Sequence, residues 1–566
     1  MYSLSCKWYW YLYLGAVYFF VLYRLFVSRM KCVFITWGVY SGLGKGIAAA
    51  SIAKLIQAMG YSVTMVKMDP YLQIDAGTMS PYEHGEVFVT DDGGETDLDI
   101  GNYERFIWVS LTQDNNITSW KIYQSVINKE RRGDYLGQTV QVVPHIVEEI
   151  KSQIKTSAVW YDVVVVEVGG TVGDIESPAF YEAARQMKRE LGEGNICYVH
   201  LAPVIAIPHS GELKTKPLQH SVKALRETWI LPDILLCRTH TEIPESLIKK
   251  ISMATDIDEE AIIKAPNVKS IYEVPLRYRD QDLHNILAKK LQLSLQDFAM
   301  ESREKIVHNI VEPEKEITIA MAGKYTAVPE CYHSVTEAVI HAGASHKTRV
   351  NIFWLDTEAL EKQADPQAYL TQLRIEWKID GIIIPGGFGE RGVEGMVSVV
   401  QFAREQKVPL LGICLGLQVS VIEYMRHVCD YPKAHSTEFD EHTPVPVVAI
   451  MENQRVVTHK WGTMRLGEYP AKLAVDSLAF SLYNRNTISE RHRHRYEVNP
   501  LYHEVLEDAW LRLSGMSPDW LLVEFVELPQ EQHPYFIATQ AHPEFLSRVE
   551  QPHPLFVGLI GAVVKK

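Results

Sequence analysis

Short apolar runs alternate with helical periods along most of this chain, and that pattern predicts an α/β fold. Buried strands of a first series are predicted at Val33–Thr36, Ser62–Lys67, Val163–Val168, Ile196–His200 and Ile234–Cys237. A second series is predicted at Ile317–Ala322, Val350–Trp354, Gly381–Ile384, Leu410–Ile413 and Val447–Met451. The charged stretch 296–316, helical in period and ended by Glu312-Pro313-Glu314, is interpreted as a linker. We therefore expect two α/β domains, 30–295 and 317–566.

Residues 1–29 differ in pattern from everything that follows. Trp8–Tyr23 is an uncharged run of 16 residues between Lys7 and Arg24. A membrane-spanning helix needs about 20 apolar residues, and a signal peptide needs a small-residue cleavage site, which is not evident here. Three interpretations stay open: a misassigned extension upstream of a start at Met30, a membrane anchor, or a signal peptide. The first is preferred, because Met30 directly precedes a predicted strand.

Composition and charge narrow the class of protein. The 566 residues suggest at least two domains, and 47% hydrophobic with 22% charged residues is ordinary for a globular protein. The formal net charge of −14 argues against nucleic-acid binding. The seven cysteines are odd in number and scattered, which argues against a disulfide framework or a zinc site. A cytoplasmic protein is expected.

A glycine-rich loop follows the first predicted strand and contains Ser41-Gly42-Leu43-Gly44-Lys45-Gly46. Strand, loop, lysine and helix N-terminus together predict a phosphate cradle. The spacing is not that of a strict Walker A motif, and Gly46 stands where Ser or Thr would bind Mg²⁺. Mg²⁺ would then need carboxylates elsewhere, and Asp99 and Glu167 are the candidates. The alternatives are a plain glycine-rich turn and two solvated acids.

The second domain carries the components of a thiol hydrolase. Gly412-x-Cys414-x-Gly416, between a predicted strand and helix, has the form of a nucleophile elbow. His542 would take the thiol proton, Glu544 would orient the ring, and the backbone at Gly387 with the N–H after Cys414 would form an oxyanion hole. A lone cysteine is usually a core residue, but these groups together indicate catalysis.

From Met30 to the C-terminus the chain resembles the CTP synthase family, whose C-terminal half is a class I glutamine amidotransferase domain. The motifs that carry the resemblance are Ser41–Gly46, Gly77–Pro81, His84–Val89, Glu95–Asp99, Arg131–Gly137, Gly169–Ser177 and Lys214–Ser221. The resemblance implies a P-loop-type parallel-sheet amidoligase domain joined to the amidotransferase domain. It also implies ATP-dependent amination of UTP to CTP with ammonia from glutamine.

The resemblance implies a role for each matching residue. ATP would be held by Ser41, Gly42, Leu43, Gly44, Lys45, Gly46, Ile47, Lys67, Asp99 and Val268, and Mg²⁺ by Asp99 and Glu167. UTP, or CTP as inhibitor, would be held by Ser41, Asp174, Ile175, Glu176, Lys214, Thr215, Lys216, Pro217, Leu218, Gln219 and Lys250. Glutamine would be held by Gly387, Leu415, Gly416, Leu417, Gln418, Glu438 and Arg495. GTP as activator, near Gly389–Gly395, and a homotetramer are further implications.

Tryptophan stands at several positions where that family usually has glycine. These are Trp37, Trp120, Trp229, Trp461 and Trp510. Glycine often serves a positive φ or a close backbone approach, which a tryptophan would disturb. Our hypothesis is that one codon, read as glycine in the source, has been rendered as tryptophan. Lineage-specific substitution with compensation is the alternative.

Two rival functions remain open from the sequence. One is an amidoligase that acts on another nucleotide or acid, which the acceptor in an activity assay would distinguish. The other is a membrane-anchored P-loop switch ATPase, suggested by residues 1–29 and the unusual phosphate loop. The second gives no purpose to Cys414, His542 and Glu544.

Overall fold

The computed structural model describes residues 30–79, 85–295, 298–450 and 464–565. The extension 1–29, Ser80, Pro81, His84, Trp461 and residues 296–297 of the predicted linker lie outside the described residues. The chain divides into two compact units, one of residues 30–75 with 102–301 and one of 76–101 with 302–565. Within the described residues, no helix is both long and apolar enough to span a membrane.

The first group of helices and strands ends at residue 311. They are β1 Lys31–Trp37, α1 Lys45–Ala58, β2 Val63–Asp69, β3 Phe88–Val89, β4 Glu95–Thr96, α2 Leu98–Ile107, β5 Asn116–Thr118, α3 Ser119–Arg132, α4 Val147–Ser157, β6 Val163–Val168, α5 Pro178–Leu191, β7 Ile196–Pro203, β8 Ile205–Ala206, β9 Leu213–Lys214, α6 Lys216–Glu227, β10 Ile234–Thr239, α7 Glu245–Thr255, β11 Ile262–Pro266, α8 Val274–Arg279, α9 Leu283–Leu291 and α10 Glu301–Val311.

The second group of helices and strands begins after residue 311. They are β12 Lys315–Gly323, α11 His333–Ser345, β13 Thr348–Asp356, α12 Thr357–Glu361, α13 Pro366–Trp377, β14 Ile379–Ile384, α14 Val393–Glu405, β15 Leu410–Ile413, α15 Leu415–His427, β16 Ala434–Ser436, β17 Val445–Ala449, β18 Arg465–Leu473, α16 Leu478–Tyr483, β19 Thr487–His494, β20 Glu497–Val498, α17 His503–Asp508, β21 Arg512–Met516, β22 Val523–Glu527, β23 Phe536–Thr539 and α18 Pro554–Val564.

The first unit is built on a seven-stranded parallel sheet of order β11-β10-β7-β1-β6-β2-β5. Its central strands are buried on both faces, as parallel strands covered by helices must be; Val163–Val168 is buried throughout. β1 lies between β6 and β7, with β2 and β5 beyond β6 on one side and β10 and β11 beyond β7 on the other. The direction in which strands are added to the sheet therefore reverses at β1. Ligands bind at such a switch point, outside the carboxyl ends of the strands, which is where the Ser41–Gly46 loop begins.

The second unit has a nine-stranded sheet of order β13-β12-β14-β15-β23-β22-β21-β18-β19. The strands from β13 to β23 are parallel, and the strands beyond β23 are antiparallel. Alternate residues of β12 enter cores on opposite faces: Ala320 and Ala322 on one, Ile319 and Met321 on the other. The α/β fold class is confirmed for both units. The antiparallel extension was not predicted.

Candidate active sites

Cys414 occupies a strained turn between β15 and α15. Its φ of 53° and ψ of −100° are unusual for a residue with a side chain. A Cβ at Gly412 would lie 2.7 Å from the Ala538 Cβ, and one at Gly416 would press on the Ile384 backbone. Only glycine fits at both positions, so the turn holds the thiol at the start of a helix, whose N-terminus favours an anion.

His542 and Glu544 lie beside the thiol, directly after β23. The Nδ1 of His542 donates to Oε1 of Glu544 at 2.7 Å. A Cβ built on Gly386 would be 2.7 Å from His542 Cε1 and 3.6 Å from Cys414 Cβ, so base and nucleophile flank the same glycine. Burial opposes a charge on the ring, but Glu544 and then Cys414 outweigh it and raise the pKa of His542 to about 10. The arrangement favours an imidazolium next to the sulfur.

A cavity of about 530 Å³ in the second unit opens onto Cys414. Four of the residues predicted to bind glutamine line it, namely Gly387, Gln418, Glu438 and Arg495. The other three, Leu415, Gly416 and Leu417, form the first turn of α15. Backbone N–H groups of a first turn have no partner inside their helix, so the turn can donate to an oxyanion.

The glycine-rich loop at 385–389 is held by charged side chains. Glu438 accepts the Gly389 N–H at 2.8 Å, and burial raises the pKa of this carboxyl. The Nζ of Lys324 donates to the carbonyls of Phe388, at 3.2 Å, and of Gly389. Burial lowers the pKa of Lys324 to about 8. These contacts fix the backbone of the loop that lines the cavity beside Cys414.

Sequence reasoning missed several groups around the sulfur. Gln540 Nε2 lies 3.8 Å from Cys414 Sγ, and the Arg493 carbonyl lies 4.0 Å from it. Gly77, Met79 and Val87 line the same cavity, although they are far away in sequence. Gln540 carried a local signal, since it precedes His542 by two residues at the end of a predicted catalytic segment, whereas Gly77, Met79 and Val87 belong to motifs of the resemblance without a predicted role at the sulfur.

The phosphate loop of the first unit has the backbone that its glycines suggest. Gly42 and Gly44 have φ of 78° and 82°, and Lys45 begins α1. Glu167, fully buried in β6, lies 3.5 Å from the Lys45 amine and 3.6 Å from that of Lys67. Tyr103 donates to its Oε2, whereas its Oε1 is buried without a hydrogen bond from the described residues.

A smaller cavity brings the loop together with Val268. Gly42, Leu43, Gly44 and Ile47 line it beside Val268. Arg238 donates to the Leu43 carbonyl at 3.2 Å and to Asn267 Oδ1 at 2.5 Å, which links the two segments. A nucleotide whose phosphates lay on the loop would have an apolar wall within reach.

The predicted pyrimidine-nucleotide residues lie on two loops and a helix. Asp174, Ile175 and Glu176 are exposed after β6; Lys214 ends β9, and Thr215 with Lys216, Pro217, Leu218 and Gln219 forms the start of α6. A Cβ at Gly38, directly after β1, would be 3.1 Å from Val172 Cγ1 and 3.0 Å from Ser221 Cβ. Both segments therefore adjoin the end of β1.

Lys250, Ser41 and Asp99 are the remaining predicted residues. Lys250 is exposed on α7, and Ser41 is exposed in the phosphate loop. Asp99 lies in the first turn of α2, within the second unit. Among the described residues, no cluster of three or more His, Cys, Asp or Glu side chains forms a metal site by itself.

The tryptophans that stand where the family usually has glycine differ in their backbone conformation. Trp229 and Trp510 have φ of 63° and 73°, which favours glycine. Trp37 does not: it is buried at the end of β1, and its indole N–H donates to the Val168 carbonyl at 3.1 Å. Trp120, in the first turn of α3, also has no positive φ. For these two positions the hypothesis rests on the resemblance alone.

Comparisons with known proteins cover both units. The family model for the CTP synthase N-terminus matches residues 31–293, and that for class-I glutamine amidotransferase matches 327–562. The chain is 54% identical to a CTP synthase of Methanocaldococcus jannaschii, over 94% of this chain and 98% of that protein. It is 50% identical to a CTP synthase of Carboxydothermus hydrogenoformans, over 94% and 99%. A solved glutaminase domain of Trypanosoma brucei CTPS with bound acivicin is 36% identical, over 44% of this chain and 94% of that chain, with a TM-score of 0.41.

Proposed function

This chain belongs to the CTP synthase family, and from that premise we propose which of its residues carry out each half of the reaction. The family's activity is the conversion of UTP to CTP with ATP and the nitrogen of glutamine. The observation that carries the assignment of the glutaminase half is the contact of His542 with Glu544 at 2.7 Å beside a strained, buried Cys414. The cavity lined by Gln418, Glu438 and Arg495 supports it.

In the glutaminase half, the Cys414 thiolate attacks the side-chain carbonyl carbon of glutamine. The oxyanion accepts hydrogen bonds from the N–H groups of Gly387 and Leu415. His542 gives its proton to the departing ammonia, which leaves a thioester on Cys414. Water, deprotonated by His542, then releases glutamate and restores the thiol. Arg495 would hold the substrate α-carboxylate, and Glu438 its ammonium group.

In the synthetase half, Lys45 and the backbone of 41–47 hold ATP phosphates, with Lys67 as a second amine and Val268 beside the base. The γ-phosphoryl group moves to O4 of UTP, which makes that oxygen a leaving group that ammonia displaces as phosphate. Asp174–Glu176, Lys214–Gln219 and Lys250 would hold UTP. The close approach of the Val172 and Ser221 segments to Gly38 supports a common nucleotide site at the end of β1.

Mg²⁺ is expected with ATP, and the residues of the first unit fit it. Oε1 of Glu167 is buried without a hydrogen bond from the described residues and lies 3.5 and 3.6 Å from the amines of Lys45 and Lys67. A buried carboxylate oxygen beside two phosphate lysines suits a hard cation that also binds the phosphates. Glu167 would hold the ion; Asp99, the second carboxylate that the resemblance implies, lies in the other unit. Mg²⁺ would neutralise charge on the phosphates during transfer.

Regulation and assembly are proposals that rest on the family. CTP would compete with UTP at Lys214–Gln219, GTP would activate near Gly389–Gly395, and the chain would form a homotetramer in the cytoplasm. CTP inhibition that Lys216→Ala leaves unchanged would contradict the first. If GTP changed the rate of CTP synthesis equally with glutamine and with ammonia, the second proposal would be contradicted. A monomeric mass at the concentration used in the assay would contradict the third.

Replacement of the nucleophile tests the assignment directly. Cys414→Ala should lower glutamine-dependent CTP synthesis by about a thousandfold or more, because no other thiolate can replace it. Ammonia-dependent synthesis should stay within about twofold, since the synthetase site is untouched. Cys429→Ala, a half-buried free cysteine, is the matched control and should change neither rate. Glutamine-dependent synthesis that survives in Cys414→Ala would refute the assignment.

A further inference from the structure

Gln540 is fully buried next to the nucleophile. It follows β23 directly, and its backbone N–H donates to the Glu524 carbonyl at 3.0 Å. Its Nε2 lies 3.8 Å from Cys414 Sγ, while its Oε1 is buried with no hydrogen-bond partner among the described residues. Burying an unpaired amide oxygen costs free energy that an apolar side chain of similar size would avoid. A role at the sulfur would explain why an amide stands here.

We propose that Gln540 is a further catalytic residue, whose side-chain amide donates a hydrogen bond to the Cys414 thiolate. This rests on the proposed role of Cys414. The N–H···S⁻ bond stabilises the charged nucleophile without taking its proton, so it complements His542, which must exchange protons.

The charged and titratable groups around Cys414 come from several elements. They include His542 and Glu544 after β23, Arg493 and His494 at the end of β19, Arg495 and Tyr496 after it, Glu438 after β16, and Lys324 and Tyr325 after β12. All remain in a Gln540 variant, so a change in thiol reactivity on that replacement can be assigned to the amide.

The test compares Gln540→Met with Gln406→Met, which alters an exposed glutamine at the end of α14. Gln540→Met should lower glutaminase kcat about tenfold or more with KM changed less than about threefold. The pH midpoint for alkylation of Cys414 by iodoacetamide should rise. Ammonia-dependent CTP synthesis, measured in the same preparation, should be unchanged and reports that the fold is intact.

Two outcomes separate this proposal from the assignment on which it rests. An alkylation midpoint and a kcat equal to those of Gln406→Met would overturn the role of Gln540 while leaving Cys414 as nucleophile. Retained glutaminase activity in Cys414→Ala would instead remove the premise. Loss of ammonia-dependent synthesis in Gln540→Met would mean a structural role, and the proposal would then be wrong.

A different observation concerns the backbone at tryptophans. Within the part of the chain that the structure describes, five tryptophans have φ between 56° and 79°: Trp108, Trp160, Trp229, Trp510 and Trp520. No tyrosine or phenylalanine among the described residues has a positive φ, although the chain has 28 and 17 of them. A bulky side chain is strained in this region, whereas glycine is not.

The local geometry at these positions is that of glycine sites. The backbone N–H groups of Trp108, Trp229 and Trp510 donate to the backbone carbonyls of Glu104, Arg226 and Glu507. These bonds close the C-terminal ends of α2, α6 and α17. Glycine is the common residue directly after a helix end. Trp520 closes the turn between β21 and β22 on the Ser517 carbonyl at 2.9 Å. The five indoles are 47% to 84% exposed, so little packing offsets the strain.

We infer that the chain made in the cell carries glycine at these five positions, through a codon that its source decodes as glycine. The resemblance to known relatives pointed to Trp229 and Trp510, whereas Trp108, Trp160 and Trp520 emerge from the backbone alone. Trp354 is the contrasting case. It lies in β13 without a positive φ and stacks on Tyr332 at 6.2 Å, so it should be a true tryptophan.

Peptide masses of the protein isolated from its source test this inference. Glycine is expected at all five positions and tryptophan at Trp354; tryptophan at any of the five would overturn it. In recombinant protein, the fivefold Trp→Gly variant should melt at a higher temperature than the tryptophan chain, and Trp354→Gly at a lower one. A fivefold variant that melts lower would also overturn the inference.

Discussion

At the scale of single residues, His542 determines the state of the nucleophile. Its pKa is raised to about 10, because Glu544 and Cys414 outweigh the burial of the ring. The unfolded value is about 6.5, so the folded state holds the proton more tightly. The resulting stabilisation is fully present below about pH 6.5 and is lost as the pH rises through about 10. At neutral pH the site therefore favours an imidazolium beside the sulfur.

Removal of the charge on Glu544 should lower the pKa of His542 and so disfavour the imidazolium. Glu544→Gln keeps the shape of the side chain but removes the group that contributes most to raising the pKa of His542. We expect the glutaminase kcat to fall about a hundredfold or more, because the ring loses both its orientation and its charge partner. The pH profile of kcat, with saturating glutamine, measures both effects.

The control for that variant is Glu531→Gln, which removes the charge of an exposed carboxylate in the same unit. It should leave the rate and the profile unchanged. If Glu544→Gln showed the same pH profile as the unaltered chain, Glu544 would have no part in setting the protonation of His542.

At the scale of elements, the segment 85–96 belongs with the amidotransferase unit. The Glu86 carboxylate accepts the backbone N–H of Ser334 at 3.1 Å and its hydroxyl, at the N-terminus of α11. Arg491 donates to Asp91 at 2.5 Å, and Arg493 donates to Glu95 at 2.8 Å. Both arginines lie on β19, whose backbone reaches Cys414 and His542. A segment from early in the chain thus supports the glutaminase site.

Glu86→Ala should loosen the start of α11. The N–H groups of the first turn lose a buried carboxylate acceptor, at a cost of about 1–3 kcal/mol. Faster amide hydrogen exchange at Ser334 and its neighbours, measured in the full chain, is the expected result. Glu330→Ala removes an exposed carboxylate just before the same helix and should leave that exchange unchanged. Unaltered exchange in Glu86→Ala would show that the carboxylate contributes nothing to the helix start.

Elements with a local cause could be predicted from the sequence, and contacts through space could not. Leu410–Ile413 and Val163–Val168 were predicted with their observed bounds, because a continuous apolar run between turn residues is a local signal. Gly412 and Gly416 revealed the elbow for the same reason. The approach of Gln540 to Cys414, 126 residues apart, depends on β15 pairing with β23, and no local pattern records that pairing.

At the scale of the molecule, the chain holds two chemistries in two units. The proposed glutaminase residues all lie in 302–565, whereas Lys45, Lys67 and Glu167 lie in the first unit. The ion pairs of Lys45 and Lys67 with Glu167 join residues of the first unit, and the contacts named around Cys414 join residues of the second. The rates of the two half-reactions should therefore respond independently to replacements in the two sets.

Lys45→Ala makes this independence measurable. The lysine begins α1 and pairs with buried Glu167 at 3.5 Å; Lys67, at 3.6 Å, remains to balance that carboxylate, so the unit should still fold. Without the amine, charge on the transferred phosphoryl group is poorly neutralised. CTP synthesis should fall about a hundredfold or more with ammonia and with glutamine alike, while glutaminase activity changes less than about threefold. Lys54→Ala, later on the same helix, should alter none of the three rates. If Lys45→Ala lowered synthesis with glutamine but not with ammonia, Lys45 would serve the delivery of nitrogen, and the phosphate role assigned to its loop would be wrong.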